Sequence, residues 1–129
     1  MTQEEKQLLL KDLCARLPYS VICDMWFEGN EANKITEVLK CGGLMRLMNS
    51  EFNFIVKPYL RPISSMTEEE RYTYRHMLGA TLNSEGESIM FVYVEDFHTV
   101  IDWLLSKYFD YRGLIEKGLA LEAPEGIYK

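Results

Sequence analysis

The chain has 129 residues, of which 47% are apolar and 12% aromatic, and its formal net charge is −6. This length and composition are typical of a single globular domain that buries its core without disulfides or metal. The acidic balance disfavours nucleic-acid partners, because binding to phosphates depends on Lys and Arg. The longest apolar run, Ile89–Val94, is too short to cross a bilayer, and the start MTQEEK lacks a signal peptide's apolar core. We therefore expect a cytoplasmic protein with no membrane partner.

The first element is a predicted helix from Thr2 to about Arg16. Thr2 and Glu5 have the spacing of a capping box. The residues after them place an apolar set at helical intervals, and Pro18 follows the last member. That set is Leu9, Leu10, Leu13, Cys14 and Leu17.

After Tyr19 the apolar pattern changes to a period of two, which favours β-strands. Glu28–Glu31 is typical of a turn. Four segments are candidate strands: Val21–Phe27, Asn33–Lys40, Gly43–Met48 and Phe52–Lys57. Between Asn33 and Met48 the pattern is also compatible with a helical turn. We predict a small antiparallel meander of three to four strands.

The segment Lys57–Pro62 contains two prolines, which cannot donate to a sheet. We predict an extended connector that leaves the sheet. Thr67 and Glu70 form a second capping box, which begins a predicted helix ending at Leu82.

A polar loop, Asn83–Ser88, and a further strand, Ile89–Val94, are predicted next. The cleanest helical pattern follows in Phe97–Tyr108, with Asp96 as its expected cap. Trp103 lies off the main apolar stripe, so we expect it to pack against another element.

Asp110 is then expected to cap a second short helix that extends through Lys117, and Gly118 to end it in a left-handed conformation. The complete prediction is one α+β domain spanning residues 1–129. It has an N-terminal helix, a small antiparallel meander and a helical C-terminal half.

Three segments carry a resemblance to a known family: LLLKDLCARLPY (Leu8–Tyr19), VKPYLRPISSMTEEE (Val56–Glu70) and FDYRGLIEKGLALEAPEGIYK (Phe109–Lys129). In these segments the chain resembles an uncharacterised family of small proteins of gut bacteria, often encoded in prophage-like or other mobile regions. The family has no assigned activity, so the resemblance implies no functional residues.

Two pairs of side chains are candidate partner-binding residues: Tyr59 with Arg61, and Tyr111 with Arg112. Tyr and Arg are common in binding hot spots, and Arg grips carboxylates and phosphates in a bidentate manner. The alternative is structural. Tyr59 would then pack, Arg61 would pair with an acid, and the residues around Arg112 would form a helix cap.

Signals for chemistry are weak. His98 and Asp102 have i, i+4 spacing, which could orient a general base together with Arg112. A surface pair on one helix is the simpler interpretation. The cysteines are Cys14, Cys23 and Cys41, without metal-ligand spacing, and we expect buried reduced thiols.

We therefore predict no catalytic residue, cofactor or metal. The leading hypothesis is a small non-enzymatic protein-interaction or accessory protein, and a mobile element is one context in which the resemblance would place it. The alternative is a nucleic-acid-associated module, which would use the basic residues Lys57, Arg61, Arg71 and Arg75 beside Tyr72 and Tyr74. A small enzyme is the least favoured hypothesis.

Overall fold

The computed structural model describes residues 1–49, 51–77, 80–82, 88–91 and 97–128. Within these ranges the fold is α+β, as predicted, with an N-terminal helix, a four-stranded sheet and further helices. The helices are α1 (Gln3–Arg16), α2 (Cys41–Met48), α3 (Glu68–Met77) and α4 (Phe97–Ser106). The strands are β1 (Ile22–Phe27), β2 (Ile35–Val38), β3 (Phe54–Leu60), β4 (Ala80–Leu82), β5 (Ser88–Phe91) and β6 (Leu121–Glu122).

Helix α1 begins with the predicted capping box. The amide of Glu5 donates to the Thr2 hydroxyl at 3.1 Å, and the Glu5 carboxylate accepts the Thr2 amide at 2.9 Å. The buried face differs from the predicted apolar set. Leu9 and Leu13 are buried, but their neighbours on that face are Asp12 and Arg16, whereas Cys14 is exposed.

The main sheet has the strand order β2-β1-β3-β6. Strand β1 pairs antiparallel with both β2 and β3, and β3 pairs parallel with β6. The predicted meander is therefore wrong in its order, because β1 lies between the two strands that follow it in sequence. Helix α2 is the reason, since it connects β2 at the edge to β3 on the other side of β1.

The predicted strand Gly43–Met48 is wrong, because this segment belongs to α2. Its apolar residues fit either structure locally, but only helical spacing turns Leu44 and Leu47 together into the core. Because Gly43 has no side chain, the backbone of α2 can pack closely against the side chains of Leu39 and Met25. A Cβ atom there would lie 2.9 Å from Leu39 Cδ1 and 3.2 Å from Met25 Sδ.

The predicted connector Lys57–Pro62 is also wrong over its first four residues, because β3 continues to Leu60 and Pro58 lies opposite Cys23. Leu60 accepts a hydrogen bond at 2.8 Å from the amide of Ala123, the residue that follows β6. Backbone groups alternate in direction along a strand, so the Pro58 nitrogen points to the same side as Leu60. Pairing with β6 starts only at Tyr59, so Pro58 removes no ladder hydrogen bond.

The helix predicted to reach Leu82 ends at Met77. Ala80–Leu82 instead forms β4, which pairs antiparallel with β5. The predicted strand Ile89–Val94 is confirmed as far as Phe91. Residues 78 and 79 of the predicted helix, the predicted loop up to Glu87, residues 92–94 of the predicted strand and the expected cap Asp96 lie outside the described residues.

Helix α4 confirms most of the predicted helix Phe97–Tyr108, but the chain leaves it at Ser106. Tyr108 takes a positive φ of 64°, and the Phe109 amide donates to Leu104 at 3.0 Å. This is a Schellman-type helix end with tyrosine at the position where glycine is usual.

The predicted helix from Asp110 to Lys117 is wrong, because the structure has turns there. The Asp110 carboxylate accepts the amides of Leu114 at 2.8 Å and Ile115 at 2.9 Å. The chain then makes a single turn over residues 114–117. Gly118 ends this turn with a positive φ of 74°, which is the left-handed conformation predicted for it.

Two buried clusters hold these elements together. The larger lies between α1, α2 and the main sheet. The smaller contains Met66, Val100, Leu104 and Phe109. Trp103 lies at its edge with its ring centroid 6.2 Å from that of Tyr74 in α3, so the expectation that Trp103 packs against another element is confirmed. No helix within the described ranges is long and apolar enough to cross a membrane.

Candidate functional site

The two longer sequence motifs, Val56–Glu70 and Phe109–Lys129, are joined along their main chains. Arg61 donates its amide to Tyr108 at 2.7 Å and accepts that of Asp110 at 2.8 Å. Strand β6 then pairs with Tyr59 and Leu60. The two motifs therefore form one structural unit, although the 38 residues 71–108 lie between them in the sequence.

This unit encloses an open groove with a volume of about 910 Å³, within the range of small-ligand sites. One part of its lining comes from Arg61 and the segment that follows it, including Ser65 and Glu70. Another part comes from the C-terminal segment Glu122–Tyr128. We call this feature the motif groove.

Arg61 lies in the motif groove, but its guanidinium is already paired. It donates to the Glu70 carboxylate at 2.7 and 2.9 Å, and its Cζ lies 4.3 Å from the centre of the Phe109 ring. The hydrogen bond from Arg61, with support from the Thr67 amide, lowers the pKa of Glu70 to about 2. Glu70 therefore closes the second predicted capping box and holds Arg61 with the same carboxylate.

Two tyrosines lie on the inner side of the motif groove. The rings of Tyr108 and Tyr128 stack with centroids 3.5 Å apart and an interplanar angle of 5°. The Tyr108 hydroxyl donates to the Tyr19 carbonyl at 2.6 Å. The Tyr128 hydroxyl accepts the Ile22 amide at 2.9 Å and donates to the Tyr59 carbonyl at 2.7 Å. Burial raises the pKa of Tyr128, which keeps its hydroxyl protonated.

Tyr59, the second candidate of the first pair, does not line the motif groove. Its hydroxyl donates to the buried carboxylate of Asp24 at 2.8 Å. Burial and this contact with Asp24 raise the pKa of Tyr59. Asp24 also accepts the Thr36 hydroxyl at 2.5 Å and has Lys34 Nζ at 3.7 Å, so the carboxylate has three partners.

Tyr111 and Arg112, the other candidate pair, lie against α1. Arg112 donates through Nε to Asp12 at 3.1 Å. The Tyr111 ring has the Arg112 guanidinium 4.8 Å from its centre and that of Arg16 at 5.9 Å. The ion pair of Arg61 with Glu70 matches the structural alternative considered for the first pair. Around Arg112, Asp110 caps a turn and not the expected helix, and a role of either pair in partner binding stays a prediction.

Sequence reasoning missed the buried ion pair of Asp12 and Arg16. Arg16 Nε lies 2.7 Å from the Asp12 carboxylate, both side chains are fully buried, and Arg16 Nη2 donates to the Phe109 carbonyl at 2.6 Å. The signal that could have revealed it is the i, i+4 spacing of opposite charges beside Leu9 and Leu13.

The residues considered for catalysis do not meet in the motif groove. His98 and Asp102 are exposed on α4, whereas Arg112 pairs with Asp12. Of the cysteines, Cys23 is buried as expected, and burial raises the pKa of its thiol to about 12. Cys14 and Cys41 are exposed, so that part of the expectation is wrong.

The proposed basic patch is only partly present. Arg61 is neutralised by Glu70, and Lys57 is half-buried in β3. Arg71 and Arg75 remain exposed on α3, where the Tyr72 ring, 70% exposed, lies 6.3 Å from His76. Within the described ranges, no three His, Cys, Asp or Glu residues are grouped so that they could hold a metal ion.

Comparisons with models of protein families, with curated proteins and with solved structures found no match to this chain.

Proposed function

We propose that this chain is a non-enzymatic interaction protein that binds a segment of another protein in the motif groove. One observation carries the proposal. The two sequence motifs, which contain the most distinctive local sequences, pair with each other and line the same open groove. The resemblance of these motifs to proteins of mobile regions favours an accessory role.

The lining of the motif groove supports binding more than chemistry. Its hydroxyl groups and charged side chains offer hydrogen bonds, and the tyrosine stack offers an apolar surface. The hydroxyls of Tyr108 and Tyr128 are held by main-chain partners, so the stack is ordered before a ligand arrives. A preformed surface lowers the entropic cost of binding.

A peptide-display selection on the purified protein tests this proposal. Ser65→Trp adds a large side chain to the groove lining, and Ser64→Trp adds the same side chain to the adjacent exposed residue outside the lining. We expect selected peptides to bind the wild-type protein and Ser64→Trp but to lose at least about tenfold in affinity for Ser65→Trp.

Far-ultraviolet circular dichroism and thermal unfolding check that both variants fold. Peptides that bind Ser65→Trp as tightly as the wild-type protein would place recognition on another surface and refute the proposal.

The nucleic-acid alternative has one observation in its favour, the exposed Tyr72 between Arg71 and Arg75 on α3. It predicts binding to single-stranded oligonucleotides that weakens steeply with salt and is lost in Arg75→Ala. Fluorescence anisotropy with labelled oligonucleotides measures this directly, and salt-independent or absent binding removes the alternative.

A further inference from the structure

Building on the proposed function, we infer that the motif groove binds an extended, basic segment of a partner protein, which pairs as an added strand with β6. The inference depends on the free edge of β6, on the charges of the groove and on its ordered tyrosine surface.

Strand β6 is the last strand of the main sheet, and among the described residues no strand pairs with its outer edge. Ala123 donates its amide to Leu60 at 2.8 Å, so the backbone of Ala123 is directed towards β3. Because backbone groups alternate along a strand, the N–H and C=O of Glu122 point away from β3. Glu122 lines the motif groove, and within the described ranges its N–H and C=O make no backbone hydrogen bond outside the pairing of β6 with β3. These two groups are the ones that an incoming strand would pair with.

The charged side chains of the motif groove favour binding of a positively charged ligand. Its lining contains Arg61 and Lys107 together with Glu70, Glu122 and Glu125. Glu70 and Arg61 neutralise each other through their bidentate pair. Glu122 and Glu125 are exposed on the same short segment, and within the described ranges neither has an ion-pair partner within 4.0 Å. They outnumber the remaining cation, Lys107, and the whole chain carries −6.

The stacked rings of Tyr108 and Tyr128 complete the site. Their faces and edges can cover the aliphatic part of a lysine or arginine side chain and attract its charged end. Helical or acidic ligands do not fit this combination, because a helix has no free backbone groups for β6 and an acidic segment meets unpaired carboxylates.

Titration of the full-length protein with three capped six-residue peptides tests the inference. The first alternates valine and lysine, the second replaces lysine with glutamate, and the third is the lysine peptide with alternate backbone amides methylated. We expect the lysine peptide to shift the amide resonances of Glu122 and Ala123 in ¹H–¹⁵N spectra. The glutamate and methylated peptides should bind at least about tenfold more weakly.

The double variant Glu122→Gln/Glu125→Gln tests the electrostatic part. Removal of two exposed ion pairs should weaken binding of the lysine peptide roughly threefold to tenfold and reduce its salt dependence. Glu116→Gln is the matched control, because Glu116 is exposed and does not line the motif groove.

Equal binding of the lysine and glutamate peptides, retention of binding after methylation, or resonance shifts on a different surface would each overturn the inference. If all three peptides fail at millimolar concentration while display-selected peptides still depend on Ser65, the inference fails and the proposed function stands. If the selected peptides ignore Ser65→Trp, the proposed function itself fails.

Discussion

At the scale of residues, the charged side chains with the most partners hold the fold together. Asp12 accepts hydrogen bonds from Arg16 and Arg112, and Glu70 accepts from Arg61 and Thr67. The two sites differ in burial. Asp12 and Arg16 are removed from water, whereas the Arg61–Glu70 pair is partly exposed. Loss of one partner should therefore cost much more in the first site than in the second.

The Glu70 carboxylate should make stability depend on pH in the acid range. Its pKa is lowered from 4.5 to about 2 in the folded state, so its contribution is complete above pH 4.5 and disappears as the pH falls through about 2. We expect Glu70→Gln to reduce the free energy of unfolding by about 1–2 kcal/mol at neutral pH, after allowance for partial exposure. Urea unfolding of both proteins between pH 2 and 7 should show this difference shrinking below pH 4.5.

Glu69→Gln serves as the control, because Glu69 is exposed in the same helical turn. A difference between wild type and Glu70→Gln that stays constant with pH would contradict the prediction.

The Asp12–Arg16 pair should show strong coupling. Asp12→Leu leaves a buried guanidinium without its carboxylate, and we expect a loss of about 3–5 kcal/mol in the free energy of unfolding. The double variant Asp12→Leu/Arg16→Met removes the fully buried guanidinium and leaves only the partly exposed Arg112 without its carboxylate, so it should be more stable than Asp12→Leu. A double-mutant cycle from urea unfolding measures this coupling, and simply additive losses would refute it.

At the scale of elements, the sequence predicts a structure correctly where the two interacting residues lie within one helical turn of each other. The capping boxes of Thr2 with Glu5 and of Thr67 with Glu70 are both present. The errors occur where local patterns fit two structures. The segment after Gly43 is compatible with strand or helix, and packing of Leu44 and Leu47 against the core decides for the helix.

Substitution by alanine should change the stability of the protein in opposite directions at the two adjacent glycines of α2. Gly42 has no atom within 4 Å of an added Cβ, so Gly42→Ala should stabilise the helix by about 0.5 kcal/mol. Gly43→Ala should destabilise the protein by about 1 kcal/mol, because the added Cβ would lie 2.9 Å from Leu39 Cδ1 and the buried side chains around it would have to shift. Thermal unfolding of the two variants tests the order, and a stabilised Gly43→Ala would contradict the tight packing of α2.

At the scale of the whole molecule, the N-terminal and C-terminal parts of the chain depend on each other. Arg16 reaches the carbonyl of Phe109, and Arg112 reaches Asp12, over sequence separations of 93 and 100 residues. Tyr128 lies between the ends of β1 and β3 and contacts the main chain of both. The C-terminal segment is therefore part of the main folding unit as well as a wall of the motif groove.

Tyr128→Phe should reveal this dependence. The variant keeps the ring beside Tyr108 but leaves the amide of Ile22 and the carbonyl of Tyr59 without their partner, at a cost of about 1–3 kcal/mol. Urea unfolding should show one transition at lower denaturant, and amide hydrogen exchange should accelerate in β1. Tyr72→Phe, at a 70% exposed position, should change neither measurement.

The sequence by itself determined the α+β class, the helix starts at Thr2 and Thr67, strands β1 and β2, and the left-handed turn at Gly118. Each depends on residues close together in the chain, whose side chains and backbone groups interact in almost any context.

Only the tertiary structure decided the strand order, the place of Pro58 in β3, the buried pair of Asp12 and Arg16, and the joining of the two motifs around one groove. These features depend on partners that are distant in sequence. Whether a proline removes a hydrogen bond, or a charge is buried, is set by the neighbour that packing brings to it.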